Sequence, residues 1–357
     1  MIVSVIPGRE LTPDHVSRWF ELQKGNLQLA SPCFCPEFTQ AVSAVRNDVF
    51  IGLMKQAGEI IGFFPFQRGR MRTGRPVGGA LCDYQGVIAA NQAVWSPGDL
   101  LAGCGLICWN FDHLIVEQAQ FRPHHEALAE AYFVDISAGF EAYAERMREE
   151  GSSLMRKHAQ AIRRIERDLG PLRFEPDVND ADVLEKLLQW KSAQYRRTGL
   201  VDVFSFAWAR RLLAQILRTR AQRFSGILSA LYADNRLVAA HMGMRSSTVW
   251  HWWFPSYALE HQQYSPGMIL LVEALRYAEK LPARILDLAK GDAFYKDRLR
   301  GESRLVATGR VERPSVATWL KRLYRGTEVS IRHSPLLPLA RVPGRRIKSK
   351  ERRRRFQ

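Results

Sequence analysis

The sequence predicts a duplicated α/β (α+β) fold, with mixed central sheets flanked by helices, from three observations. Residues 50–68 and 227–245 each spell an apolar strand, a tight turn and a second apolar strand within 19 positions. Trp95-Ser96-Pro97-Gly98 opens an apolar helical stretch followed by a strand at 110–116. Tyr264-Ser265-Pro266-Gly267 likewise leads into a helix ending near residue 280 and a strand at 284–289. Both units recur in the same order, about 170–180 residues apart, and 357 residues leave room for two domains with separate cores.

The elements follow in order. Ala57-Gly58 and Asp234-Asn235 are hairpin turns, because Gly and Asn tolerate positive φ. Asp83-Tyr84-Gln85-Gly86 is a polar break where the central strand of the first copy should open. Residues 140–169 read as one long, charged helix joining the copies. The second copy then runs as a strand at 172–178, capped helices at 180–198 and 205–222, and the hairpin. A third strand, 248–254, is rich in Trp and β-branched residues. The Ser-Pro-Gly helix and its strand precede a short helix at 293–300 and a final strand pair near 304–312. The expected domains are therefore 1–138, a connecting helix at 139–170, a second domain at 171–313 and a tail at 314–357.

Composition narrows the class. Apolar residues make up 46% and charged residues 25%, as in soluble globular chains rather than disordered ones. Of the net charge of +16, residues 321–357 carry +11, from 13 Lys or Arg against two Glu. That tail should be disordered and should attract polyanions: anionic lipid headgroups, nucleic acid or acidic polysaccharide. Within its charge run, Arg345, Arg346, Lys348, Lys350 and Arg352–Arg355, no aromatic interleaves apart from Phe356, so no specific nucleic-acid partner is expected. The apolar start breaks at Pro7-Gly8, and the longest apolar run, 100–109, is about half a membrane span. Cys33, Cys35, Cys82, Cys104 and Cys108 are odd in number and fit no strong zinc spacing. Buried free thiols, no metal and a reduced, cytoplasmic setting are expected, with the tail able to hold the protein at the inner membrane face.

The element order resembles the GNAT acyltransferase fold, and its doubling resembles the Fem-type peptidyltransferases. A closer likeness is to the CelD/BcsL-like acyltransferases of cellulose and polysaccharide biosynthesis. It is carried by Gly62-Phe-Phe-Pro-Phe66, Asp83-Tyr-Gln-Gly86, Ser265-Pro-Gly267, and Asp287-Leu-Ala-Lys-Gly-Asp292 leading to Tyr295-Lys296, over roughly residues 30–312. The resemblance implies an enzyme using acetyl-CoA or another acyl-CoA. It implies transfer to an amine or hydroxyl of a sugar, amino sugar or cell-envelope precursor. Two alternatives stand beside it: a non-catalytic envelope-assembly protein with a degenerate fold, and a polyanion binder acting through the tail.

Candidate residues follow from chemistry and from that likeness. Ser265 can cap its helix, Pro266 suits the first position, and Gly267 leaves the backbone bare. The unpaired amides of a first turn can hold a phosphate, or the motif can be only a good helix start. The resemblance places the diphosphate of the donor there, with Gln263 and Met268 flanking. This sequence departs from the usual glycine pattern, having one Gly. Acyl transfer also needs an aligned acceptor, an oxyanion donor and a proton for the leaving sulfur. The likeness assigns that proton to Tyr295, which can equally cover the core; Asp292 and Lys296 can pair, orient Tyr295 or meet donor phosphates. His241, in an apolar strand, and His251, between two Trp, are each a candidate base or a packing residue. Asp83, Tyr84 and Gln85 could bind an acceptor or finish a strand. Lys191 and Tyr195, four apart on a helix, could line its cleft or face solvent, and Trp252 could stack on a sugar.

Overall fold

The computed structural model describes residues 1–290, 299 and 301–313. In chain order the elements begin with β1 (Ile2–Pro7), α1 (Pro13–Gln23), α2 (Pro36–Val45), β2 (Val49–Gln56), β3 (Glu59–Arg68) and β4 (Thr73–Arg75). There follow β5 (Ile88–Ala89), α3 (Pro97–Gly103), β6 (Cys108–Ile115), β7 (His125–Asp135), α4 (Phe140–Glu149) and α5 (Leu154–Leu169). Next come β8 (Leu172–Glu175), α6 (Ala181–Arg197), α7 (Ala207–Arg218), β9 (Arg220–Ala221), β10 (Phe224–Ala233) and β11 (Arg236–Arg245). The last are β12 (Val249–Tyr257), α8 (Pro266–Ala278), β13 (Ile285–Lys290) and β14 (Glu302–Glu312).

The chain forms two compact units. The first comprises Met1–Leu22, Arg46–Ala127 and the chain from Ala307; the second comprises Gln23–Val45 and Leu128–Val306. In the first, strands lie in the order β1-β2-β3-β4-β6, followed by the end of β14. The β2–β3 turn forms as expected, with Ala57 and Gly58 at φ 49° and 87°. Phe64, Phe66, Trp109, Phe111 and Phe121 fill the core on one face. Trp19 of α1 stacks on Phe63 at 4.7 Å between ring centroids.

In the second unit the order is β7-β13-β12-β11-β10-β8. Strands β10 to β12 are buried along nearly their whole length, as continuous apolar runs require when helices cover both faces. In their turn Asp234 takes the positive φ, 53°. Asp180 starts α6 by accepting from the amides of Asp182 and Val183. Trp250, Trp252, Leu270, Leu271, Leu275 and Leu286 make the core under α8.

Three local expectations need correction. The single helix at 140–169 is two helices, because Gly151 at φ 74° lets the chain turn out of α4 and Ser152 then accepts from the amide of Leu154. The final strand pair is one 11-residue strand, β14, with no turn at Gly309. Ser265 is the N-cap of α8 but sits left-handed, φ 54° and ψ 47°, with no side-chain cap. The five cysteines are buried free thiols. Among the described residues no helix is long and apolar enough to cross a membrane.

Candidate active site

Strands β12 and β13 run parallel for three pairs: Val249–Ile285, Trp250–Leu286 and His251–Asp287. Beyond these they part, β12 continuing beside β11 while β13 pairs Ala289 and Lys290 with Tyr132 and Ala131 of β7. The last pair before this fork is His251 with Asp287, both side chains fully buried, Nδ1 3.7 Å from Oδ1. The same Oδ1 accepts from the amide of Ala289 at 2.7 Å, which helps hold Ala289 at φ 56°. At 3.7 Å the imidazole and the carboxylate face each other just beyond hydrogen-bond reach.

A bulge lies beside the fork. Met242 faces Phe254 while Met244 faces His251, so two β12 residues, Trp252 and Trp253, oppose Gly243. A bulge of this kind leaves an amide outside the ladder, where it can serve a developing oxyanion. A Cβ on Gly243 would lie 2.3 Å from the His251 carbonyl oxygen and 2.6 Å from the His241 ring. Gly243→Ala is therefore expected to destabilise the second unit by roughly 1–3 kcal/mol. Its urea midpoint should fall, whereas Gly98→Ala, with no neighbour nearer than 3.9 Å, should not lower stability.

His241 is fully buried, and its ring lies flat on Trp252, centroids 3.6 Å apart and planes at 7°. Burial first, then the charges of His251 and Lys191, hold its pKa well below the ordinary range. It is a neutral ring, with neither nitrogen paired among the described residues. The face of Trp252 that a sugar would need is covered by this ring. Lys191 donates to the Pro255 carbonyl at 3.0 Å and sits 5.6 Å over the Tyr195 ring. Burial lowers its pKa from 10.5 to about 8. Between those values the unfolded chain keeps a proton that the folded chain has released, so this group makes stability rise with pH. Below pH 8 both states are charged and the burial penalty is constant. Lys191→Met should stabilise the protein at pH 7 by at most about 3 kcal/mol. The gain should vanish by pH 10.5, as urea midpoints across that range would show.

The start of α8 borders a groove of about 520 Å³. Gln263, Ser265 and Met268 line it from one side, and Ser152, Lys157 and Arg164 from the segment that opens and forms α5. Among the described residues no carboxylate lines it, so two cations and the positive end of a helix dipole share one concavity. His158 also borders it and is paired with Glu273 at 3.1 Å. Burial works to raise the Glu273 pKa, but His158 and Arg276 outweigh it and the net shift is downward. Pro266 is buried at the first helical position. The bare face of Gly267 meets the Tyr257 ring, 3.2 Å from where a Cβ would be. Lys157 and Arg164 escaped the sequence reading; the signal was the basic run on one helix, Arg156, Lys157, Arg163, Arg164 and Arg167.

The first copy differs at the same motif. Ser96 accepts from the Asp99 amide and donates to its carboxylate, a capped start whose acid would oppose phosphate. Gln85 spends its side chain inside the unit, donating to Cys82 and Asp112 and accepting from the amides of Asp112 and His113. Asp83 lies 3.7 Å from His113, and Tyr84 is buried. Asp292, Tyr295 and Lys296 lie outside the described residues. Among the described residues no group of three His, Cys, Asp or Glu could hold a metal ion.

Residues 152–297 match the acetyltransferase (GNAT) domain family. They share the GNAT fold. The match begins at the loop that lines the groove and takes in α5, the bulge, α8 and the fork. Solved structures are similar across both units. FemX is 8% identical, over 90% of this chain and 100% of its own, at a TM-score of 0.57. The C-terminal domain of an Agrobacterium fabrum protein assigned as a lysylphosphatidylglycerol synthetase is 12% identical, over 87% and 96%, at 0.51. No curated protein matches in sequence. The fold is the GNAT fold, with mixed sheet flanked by helices.

Proposed function

We propose that the GNAT domain binds acyl-CoA with its diphosphate in the groove and its thioester in the β12–β13 fork. The acceptor is the amine or hydroxyl of a sugar, amino sugar or cell-envelope precursor. The observation that carries this reading is the ending of the parallel pairing at a buried His–Asp pair beside a bulge. Lys157, Arg164 and the first amides of α8 fit a diphosphate in charge and shape. The acceptor N–H or O–H loses its proton to the His251 imidazole as its lone pair attacks the thioester carbonyl. The bulge amide receives the oxyanion. The C–S bond then breaks, and the proton passes from the imidazole to the leaving sulfur. His241 is a positioning residue in this scheme, backing the bulge through Trp252.

The acceptor class rests on the resemblance to CelD/BcsL-like acyltransferases. The +11 charge of residues 321–357 supports a cytoplasmic enzyme working against an anionic surface. The test is thiol release from acetyl-CoA in the presence of amino sugars and neutral sugars, alongside calorimetric titration with CoA. Saturable CoA binding with acceptor-dependent thiol release is expected. Absence of CoA binding would sink the donor assignment.

A further inference from the structure

The first unit has its own fork, which the acyltransfer scheme leaves unused. Strand β4 runs parallel to β6 for two pairs only, Thr73–Cys108 and Gly74–Trp109. Where the pairing stops, a cleft of about 1000 Å³ opens, reached by Arg75 on one side and Asn110 and Asp112 on the other. Among the described residues five guanidinium groups line it, from Arg46, Arg68, Arg70, Arg75 and Arg310, against three carboxylates, Asp48, Asp112 and Glu126.

These charges are not equivalent. Arg46 grips Asp48 with two bonds of 3.0 and 2.8 Å, and Arg75 reaches the same carboxylate at 3.5 Å. Arg310 pairs with Glu312 at 3.0 Å. Arg68 is held 4.3 Å over the Phe50 ring and donates to the Cys104 carbonyl, yet its buried Nε–H has no acceptor among the described residues. Arg70 is exposed and without an ion-pair partner among the described residues. Its loop is tightly built: the Gly69 amide donates to Thr73, the Thr73 hydroxyl donates to the Arg70 carbonyl, and Met71 and Arg72 are both left-handed, φ 53° and 55°. Non-glycine residues in that region cost free energy and persist where the surroundings impose them.

We propose that this cleft binds an acidic saccharide, a sugar carrying a phosphate or carboxylate. Arg68 and Arg70 supply planar donors to the anionic group. Asp48, Asp112, Asn110 and Thr308 supply the mixed acceptors and donors that sugar hydroxyls need, which a site for a bare polyanion would not contain. The inference does not depend on acyl transfer or on donor binding in the second unit.

The test is calorimetric titration of the full chain with glucose 1-phosphate and glucuronate, beside glucose and inorganic phosphate. At least one acidic sugar should bind, with glucose and phosphate each tenfold weaker or more. Arg70→Glu should weaken that binding tenfold or more and leave the thermal midpoint and CoA titration unchanged. Arg68→Gln, if folded by the same measures, should do likewise; if it does not fold, Arg70→Glu decides alone. No binding of either acidic sugar at 10 mM, phosphate binding equally well, or an Arg70→Glu protein of unchanged affinity would each overturn the proposal.

Discussion

Replacing His251 with Gln is expected to slow acyl transfer by roughly 10²–10⁴-fold, the usual worth of a positioned base. Gln preserves size and polarity in a fully buried position, so the fold should survive. The imidazole faces Asp287 at the last paired position before the strands separate. The informative readout is the split between turnover and donor binding: kcat should collapse while CoA affinity stays within about twofold. His241→Gln is the contrast. That ring is stacked on Trp252 and fills the space over Gly243, so its loss should lower the unfolding midpoint more than it lowers kcat in the protein that remains folded. If His251→Gln turns over at the wild-type rate, the base lies elsewhere.

Reversing both groove cations, Lys157→Glu with Arg164→Glu, should weaken donor binding by about 10²–10⁴-fold. Each charged hydrogen bond lost is worth about 1.5–3 kcal/mol, and two new carboxylates at the positive end of α8 add repulsion. Calorimetry with CoA measures the effect, and wild-type affinity should itself fall as salt rises. Arg163 is on the same helix but outside the groove, so Arg163→Glu should change affinity less than twofold. This pair of variants reports on the groove more cleanly than Gly267→Glu, whose new side chain would first collide with Tyr257.

Much of the fold could be read locally. The two hairpins announced themselves by strand, turn and strand within 19 residues, and the helix starts by Ser-Pro-Gly. Such features depend on neighbours in sequence: turn dihedrals, caps and alternation. The break after α4 was missed because Gly151 lies within a heavily charged stretch whose helical character is otherwise continuous. Gln263, Ser265 and Met268 line the groove beside Lys157 and Arg164, which stand about 100 residues earlier in the chain.

By itself, then, the amino-acid sequence determined the duplicated α/β architecture, most of the succession of elements in each copy and the helix start at Ser265 that borders the groove. Only the tertiary structure decided that His251 rather than His241 stands at the fork, that Trp252 is covered, and that Gln85 is spent inside the first unit. It alone joined the groove's two cations to α8 and opened an arginine-lined cleft at β4. The physical reason is range. Dihedral preferences and capping act over a few residues, whereas burial, strand register and electrostatic pairing depend on which distant segments the fold brings within a few ångströms.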